Sequence, residues 1–290
     1  MSNRCRVLIF GLSYHGRAVY RCLDRNTYDI IGFLDNDIKK NKLTFGGVRV
    51  YQPEEIEFID FDTIIVSGRY VDVMIRQLIN ELSIDEKKIL IMDRTKIAIN
   101  DDALKIREDM FFNMFINFKK IFDNNNIKHW IGFSSLLALK RKEGFSKFGD
   151  IDIGVMSEQI PIFMDELMKS DFPYDIEISR YSNSSKYWKS GDISSIGITD
   201  RIDPITMEPA IIDVHVLNKY DKNIYIKFLD DKTFVLPFSY FDGNSVIRYK
   251  NLDFMTPKNV GGYLKLIYGD DWKIPAKNWQ RDNYNSVELE

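Results

Sequence analysis

The stretch WIGFSSLLALKRKEGFSKFGDIDIGV, Trp130 to Val155, decides how the carboxyl-terminal two thirds of the chain is read. Within it Asp150 and Asp152 alternate with Ile151 and Ile153. In a strand this alternation sends both carboxylates to one face and both isoleucines to the core. Two carboxylates that close repel each other unless a cation neutralises them, and an all-oxygen pair suits Mg2+ or Mn2+. Further along, AIIDVHV (Ala210–Val216) sets Asp213 between Ile212 and Val214, a third carboxylate on an expected neighbouring strand. His215, two residues on, shares the face of Asp213 and can reach a metal or a phosphate, the alternative being a satisfied structural histidine.

A small-residue pair, Ser134 and Ser135, then D-h-D, then a later h-D-h is the order of the nucleotidyltransferase fold. There a carboxylate triad holds metals that stabilise the attacking and leaving oxygens at phosphorus. Asp150, Asp152 and Asp213 are therefore expected both as metal ligands and as catalytic residues. The plainer alternative is that D-I-D is an exposed strand edge. Arg141, in the cluster Lys140-Arg141-Lys142, is expected to offset charge developing at phosphorus, because a guanidinium binds phosphate bidentately; the alternative is a solvated basic face.

On the amino-terminal side, ALKIREDMFFNMFINFKKIFDNNN repeats Phe, Met and Ile at helix spacing and ends in three asparagines, a first helix for the second domain with its aromatic stripe in the core. Before it, apolar runs alternate with helical patterns. RVLIF (Arg6–Phe10) reads as a buried strand, followed by the turn Gly11 to Gly16, the helical RAVYRCLDR and a second strand, DIIGFLD, ending at Asp35. FDTIIVSG, the helical VDVMIRQLINEL and KILIMD complete a sheet that ends near residue 95. This is the pattern of a parallel sheet covered on both faces.

A glycine turn between strand and helix lets N–H groups cradle a phosphate, and an acid ending the second strand can bind a ribose. Gly11, Ser13, His15, Gly16 and Asp35 are the cofactor-binding candidates. Because position 13 is Ser, the G-x-G-x-x-G fingerprint is not met, and a purely structural sheet is the alternative. The run of GFLDND (Gly32–Asp37), GGVRVYQPEEI (Gly46–Ile56) and DTIIVSG resembles the small Rossmann-like domain that begins sugar acetyltransferases and nucleotide-sugar dehydratases of bacterial polysaccharide pathways. That resemblance implies a role near nucleotide-activated sugars and does not imply a redox step.

SSLLALKRKEGF (Ser134–Phe145) followed by GDIDIGV resembles the LicD family of phosphotransferases, with Ser134, Ser135, Leu136, Leu137, Arg141, Gly144 and Phe145 on motif positions. Near the end, MTPKNVGGYLKLIYGDDWKIP is similar to the closing motif of that family, through Tyr263, Leu264, Tyr268, Gly269, Asp270, Trp272 and Pro275. The motif's first glycine and threonine are serines here, and the acid run before D-I-D is reduced to Phe148-Gly149, one residue short. By resemblance to this family and to the fukutin-type transferases, the chain would move a phosphorylated alcohol from a CDP-linked donor to a glycan hydroxyl and release CMP. The donor alcohol would be one such as choline, ribitol or glycerol. Ser134, Ser135, Lys140, His215, Tyr268 and Trp272 are the expected substrate contacts.

Composition sets outer bounds. The 290 residues carry 40 Lys and Arg against 43 Asp and Glu, a net charge of −3, with 44% hydrophobic residues. That is a globular profile without the basic excess of a nucleic-acid binder. Two cysteines and three histidines exclude a disulfide framework and a His-rich zinc site and fit a reducing cytoplasm. No apolar run is long enough to span a bilayer, which still allows peripheral membrane contact. The aromatic-basic run Lys186, Tyr187, Trp188, Lys189 would suit a glycan- or base-contacting loop, or else a packed surface turn.

The expected architecture is α/β: a Rossmann-like parallel sheet over 1–100, binding a nucleotide or nucleotide-sugar, and an α+β nucleotidyltransferase-fold phosphotransferase domain over 101–290. The setting would be decoration of capsule or lipopolysaccharide. Rival readings are a nucleotidyltransferase that uses an NTP and a non-catalytic nucleotide-sugar-binding protein.

Overall fold

The computed structural model describes residues 4–68, 70–93, 96–144, 150–169, 173–227, 232–243, 245–275 and 287–289. Its chain divides into two compact units: Met1–Asp109 with Ile202–Pro209, and Met110–Arg201 with Ala210–Glu290.

Unit 1 is a six-stranded sheet made of β1 (Cys5–Phe10), β2 (Tyr28–Leu34), β3 (Thr44–Phe45), β4 (Val48–Tyr51), β5 (Thr63–Val66) and β6 (Ile89–Ile91), in the order β3-β4-β2-β1-β5-β6. All neighbours are parallel except the short β3–β4 hairpin. The helices are α1 (Tyr14–Cys22) and α2 (Val71–Arg76), the latter continued by a π-helical turn over Gln77–Glu81. The sheet is buried on both faces, so its central strand is apolar throughout rather than alternating. Val7 and Ile9 pack into one layer with Val19 and Cys22, and Leu8 and Phe10 into the other with Ile56 and Leu78. Burial pushes the Cys22 thiol up to about 12, which makes it an inert core residue. The β3–β4 pair extends the sheet beyond the four strands expected from sequence; both are short, and no apolar run announces them.

Unit 1 also takes in the start of α3 (Asp101–Asn124) and residues 202–209, whose Ile205 and Met207 join the layer of Val7 and Ile9. Arg107 and Asp203 form an ion pair there with no solvent exposure on either side chain.

Unit 2 contains β7 (His129–Ile131), α4 (Phe133–Arg141), β8 (Asp150–Met156), α5 (Ile160–Lys169), β9 (Asp175–Arg180), β10 (Ile193–Ile202), β11 (Pro209–Tyr220), β12 (Asn223–Lys227), β13 (Lys232–Pro237), β14 (Ser245–Tyr249), β15 (Leu252–Thr256), α6 (Val260–Tyr268) and β16 (Val287–Leu289). The main sheet runs β16-β13-β12-β11-β10-β9, with β8 paired to β11 and β7 paired to β8, while β14 and β15 form a separate hairpin. The stripe on α3 read from sequence is core: Phe111, Met114, Phe115 and Phe118 are at most 1% exposed. They share a cluster with Ile151, Ile153, Val155, Ile212, Val214 and Val216 of β8 and β11. The isoleucine side of the D-I-D strand is thus the buried side, and the carboxylate side is the opposite face. The fold is a mixed α/β one, with an almost wholly parallel six-stranded sheet in unit 1 and a mixed sheet with helices in unit 2.

Candidate active site

β8 and β11 run parallel with Asp150 opposite Ile211, Asp152 opposite Asp213 and Gly154 opposite His215. Paired residues project from the same face, so this register gathers Asp150, Asp152, Asp213 and His215 on one surface. Gly154 makes room for Leu217, since a Cβ there would stand 3.0 Å from Leu217 Cδ1.

β7 ends at Ile131 and turns through Gly132 into α4, bringing the first residues of α4 onto the carboxylates. Ser134 Oγ donates to Asp152 Oδ2 at 2.7 Å, and His215 Nε2 lies 3.0 Å from Asp152 Oδ1. Ser135 is fully buried and braces the strand: its Oγ accepts the Asp152 N–H at 2.8 Å and donates to the Asp150 carbonyl at 3.4 Å. Between these two layers, Phe133 has φ +42, a left-handed conformation that costs a side-chain-bearing residue of order 1–3 kcal/mol. Its ring is held against His215 and Phe234, with centroids 5.1 and 5.3 Å away, and its N–H points to the Tyr263 hydroxyl at 3.5 Å. Strain at the junction of strand and helix is what sets Ser134 directly over Asp152.

Desolvation pulls the His215 pKa down, but the hydrogen bond to Asp152 and the charges of Asp152, Asp213 and Asp150 outweigh it and hold the imidazole above its usual range. The four groups therefore form one electrostatic unit in which His215 is a countercharge for three acids. The donor set is oxygen-rich and carries excess negative charge, which suits a hard divalent cation. Among the described residues, however, no three His, Cys, Asp or Glu side chains stand around a common point, and both Asp152 oxygens are already engaged. Each Asp152 oxygen keeps a second acceptor site beside these contacts, so the carboxylate can meet a cation with Ser134 and His215 in place.

Of the residues expected from sequence, the structure brings Ser134, Ser135, Asp150, Asp152, Asp213 and His215 together. It does not bring Arg141 to them. The Arg141 Nε donates to the Trp272 carbonyl at 2.9 Å and its Nη2 to the carbonyls of Trp272 and Ile274, the latter at 3.0 Å. The guanidinium thus ties the end of α4 to the segment after α6, which corrects the expectation that it faces a phosphate. Lys140 is exposed on the last turn of α4 and lines a cleft of about 390 Å³ with Arg141, Glu143, Trp272, Lys273 and Pro275. Tyr268 and Trp272 pack against the main core as anchors of the closing segment. The Lys186–Lys189 run is a packed turn: Trp188 stacks on Tyr181 with centroids 4.3 Å apart, and Tyr187 on Tyr225 at 3.6 Å. Phe145, Phe148 and Gly149 lie outside the described residues.

Sequence reasoning missed Phe133 and Gly197. An aromatic next to a buried strand reads as core, and nothing in the sequence signals a positive φ. Gly197 on β10 stands beside Asp213, and a Cβ there would lie 3.9 Å from Asp213 Oδ1. A glycine inside an alternating strand was the available signal.

In unit 1, Gly11 has φ +96, and a Cβ on Gly16 would fall 1.8 Å from the Gly11 carbonyl oxygen, so both glycines are required by the turn. Ser13 is the N-cap residue of α1. Asp35 does not present a free carboxylate for a ribose. Its Oδ2 accepts from the Leu12 N–H at 2.7 Å and from Lys40 at 2.9 Å, and its Oδ1 accepts the Asp37 N–H at 2.9 Å. It braces the glycine turn instead.

Residues 3–90 match the family model described as C2185-like, N-terminal. Among solved structures, UDP-D-quinovosamine 4-dehydrogenase from Vibrio fischeri is 22% identical over 30% of this chain and 75% of its own, with a TM-score of 0.24. The lincomycin-bound lincosamide antibiotic adenylyltransferase LnuA is 15% identical over 50% of this chain and 79% of its own, with a TM-score of 0.33. UDP-N-acetylglucosamine 3-dehydrogenase GnnA from Acidithiobacillus ferrooxidans is 9% identical over 89% of this chain and 85% of its own, with a TM-score of 0.26. A search of curated proteins returned no match. No helix among the described residues is long and apolar enough to cross a membrane.

Proposed function

We propose that unit 2 is a LicD-like phosphotransferase that moves a phosphorylated small alcohol from a CDP-linked donor to a glycan hydroxyl. The observation that carries this reading is the surface on which Ser134 and His215 both grip Asp152, with Asp213 opposite in register. Paired acids beneath the start of a helix serve phosphate chemistry: N–H groups at the helix start favour the anion, and the acids handle cation and proton. Asp150, Asp152 and Asp213 would hold a Mg2+ or Mn2+ ion, which supplies neutralisation of phosphate charge.

Ser134 and the first turn of α4 orient the donor phosphates. Asp213 takes the acceptor hydroxyl proton as the acceptor oxygen bonds to the phosphorus bearing the alcohol. The phosphoanhydride bond to CMP breaks in the same displacement, and CMP leaves with the electron pair. His215 keeps Asp152 oriented and limits repulsion among the acids. The role assigned to Arg141 is mechanical, since it holds the end of α4 in place.

The test is to incubate the chain with Mg2+ or Mn2+ and CDP-choline, CDP-ribitol or CDP-glycerol and to follow CMP. Release of CMP that disappears in Asp152→Asn and Asp213→Asn supports the proposal. Release of pyrophosphate from an NTP, with no CMP from any CDP-alcohol, overturns it in favour of nucleotidyl transfer.

A further inference from the structure

We propose that unit 2 holds a second ligand site, a cavity beside β7 that takes a neutral aromatic molecule carrying one hydroxyl or N–H donor, which pairs with Nε2 of His129. The cavity has a volume of about 340 Å³ and is walled by Phe122, Ile127, Trp130, Phe241 and Met255 together with His129. A largely apolar opening of this size with a few fixed polar groups is what small organic ligands occupy. An apolar cavity of roughly 150 Å³ already accepts benzene, so this one admits two fused rings. None of its lining residues belongs to the carboxylate site.

The state of His129 supplies an independent observation. The residue is only 2% exposed, and its Nδ1 stands 3.2 Å from the Ile127 carbonyl oxygen. A carbonyl can only accept, so Nδ1 carries the proton. Burial keeps the ring neutral by pulling its pKa from 6.5 to about 4, which leaves Nε2 a bare acceptor. That nitrogen has no hydrogen-bond partner among the described residues, nor is it one of their unpaired atoms sealed from solvent, so it opens on the cavity that the ring lines. Phe122 stacks on the imidazole with 16° between the planes and fixes its orientation. A polar group in a protein interior is nearly always paired, so an acceptor left open on an apolar cavity points to a donor that enters from outside.

The remaining groups narrow the ligand. Trp130 Nε1 already donates to the Gly243 carbonyl at 3.2 Å, so the indole serves the cavity as an apolar wall, with Phe241 edge-on to it at 5.5 Å. Asp123, Asn126 and Lys128 are exposed at the rim, one acid and one base, and no buried charge stands in the wall to hold an ion. A phosphate or carboxylate would set its lone pairs against the lone pair of Nε2, whereas an N–H or O–H on a flat ring satisfies it. The inference is independent of the transfer chemistry proposed for the carboxylate face.

The test titrates the full chain with indole and with indene, which has the same two rings without the N–H, and follows binding by calorimetry. Saturable one-to-one binding of indole is expected, with indene at least tenfold weaker because it leaves Nε2 unpaired. His129→Phe is expected to weaken indole at least tenfold and to change indene less than threefold, a split that a general loss of packing would not produce. Met255→Trp fills the cavity from β15 and is expected to abolish binding of both at unchanged far-UV circular dichroism. Asp152→Asn should bind indole as the wild type does. Absence of saturable indole binding, indene binding equal to indole, a wild-type indole constant in His129→Phe or Met255→Trp, or loss of indole binding in Asp152→Asn would each overturn the proposal.

Discussion

Replacing Arg107 by alanine is expected to destabilise unit 1 by about 3–4 kcal/mol. Arg107 and Asp203 have no exposure, so removing the guanidinium strands a carboxylate where water cannot reach it. Breaking a buried pair from one side costs roughly 3–5 kcal/mol. Asp203 keeps two donors, the Ile205 N–H at 2.7 Å and the Thr206 hydroxyl at 3.0 Å, which places the loss in the lower part of that range. At roughly 3–5 °C per kcal/mol for a unit of this size, the melting point of unit 1 should fall by about 10–20 °C. The assay can separate the units, because the sequence of unit 1 holds no tryptophan: Trp130, Trp188, Trp272 and Trp279 all fall within the sequence of unit 2. Far-UV circular dichroism should therefore show an early transition that tryptophan fluorescence does not follow. The double variant Arg107→Met with Asp203→Asn should recover most of the loss, since it removes both charges together. A single-variant loss below about 1 kcal/mol in urea titration would refute the reasoning, because it would mean that the carboxylate finds water or a proton at no cost.

Three further outcomes are expected. Burial of His129 against Phe122, with ring centroids 4.2 Å apart, pulls its pKa down from 6.5 to about 4. The unfolded chain therefore binds the proton first, so the neutral histidine stabilises the fold fully above pH 6.5, and about 3 kcal/mol is lost as pH falls toward 4. His129→Phe should flatten that window in denaturant titrations, and an unchanged slope would count against it. Arg141→Ala should lower stability by about 1.5–3 kcal/mol through the lost carbonyl contacts while changing kcat/KM less than Asp152→Asn does; urea melts and CMP release measure the two. Gly16→Ala drives a Cβ to within 1.8 Å of the Gly11 carbonyl oxygen, and a loss of about 3 kcal/mol in the unit 1 transition is expected.

Periodicity carried most of the fold. The alternation at Ile151, Ile153, Ile212 and Val214 set the buried face, and the parallel register then placed Asp152 opposite Asp213. The phenylalanine stripe on α3 was equally legible because a helix with one apolar face has only one way to bury it. What the sequence withheld was where long or strained side chains end. Arg141 sits in a motif that suggests phosphate, yet a guanidinium fork matches two backbone carbonyls as well as two phosphate oxygens, and those of Trp272 and Ile274 come from 131 residues or more away. Asp35 sits where ribose is read in dinucleotide-binding folds, but position 13 is Ser and the turn lacks its second glycine. The Leu12 N–H then takes one Asp35 oxygen.

These two corrections have one physical origin. A residue type at a motif position fixes which partners are chemically suitable, and the fold then decides which suitable partner is nearest. At Asp152 the two criteria agree, because Ser134 follows a turn forced by Phe133 and His215 follows by strand register. At Asp35 and Arg141 a backbone group arrives first.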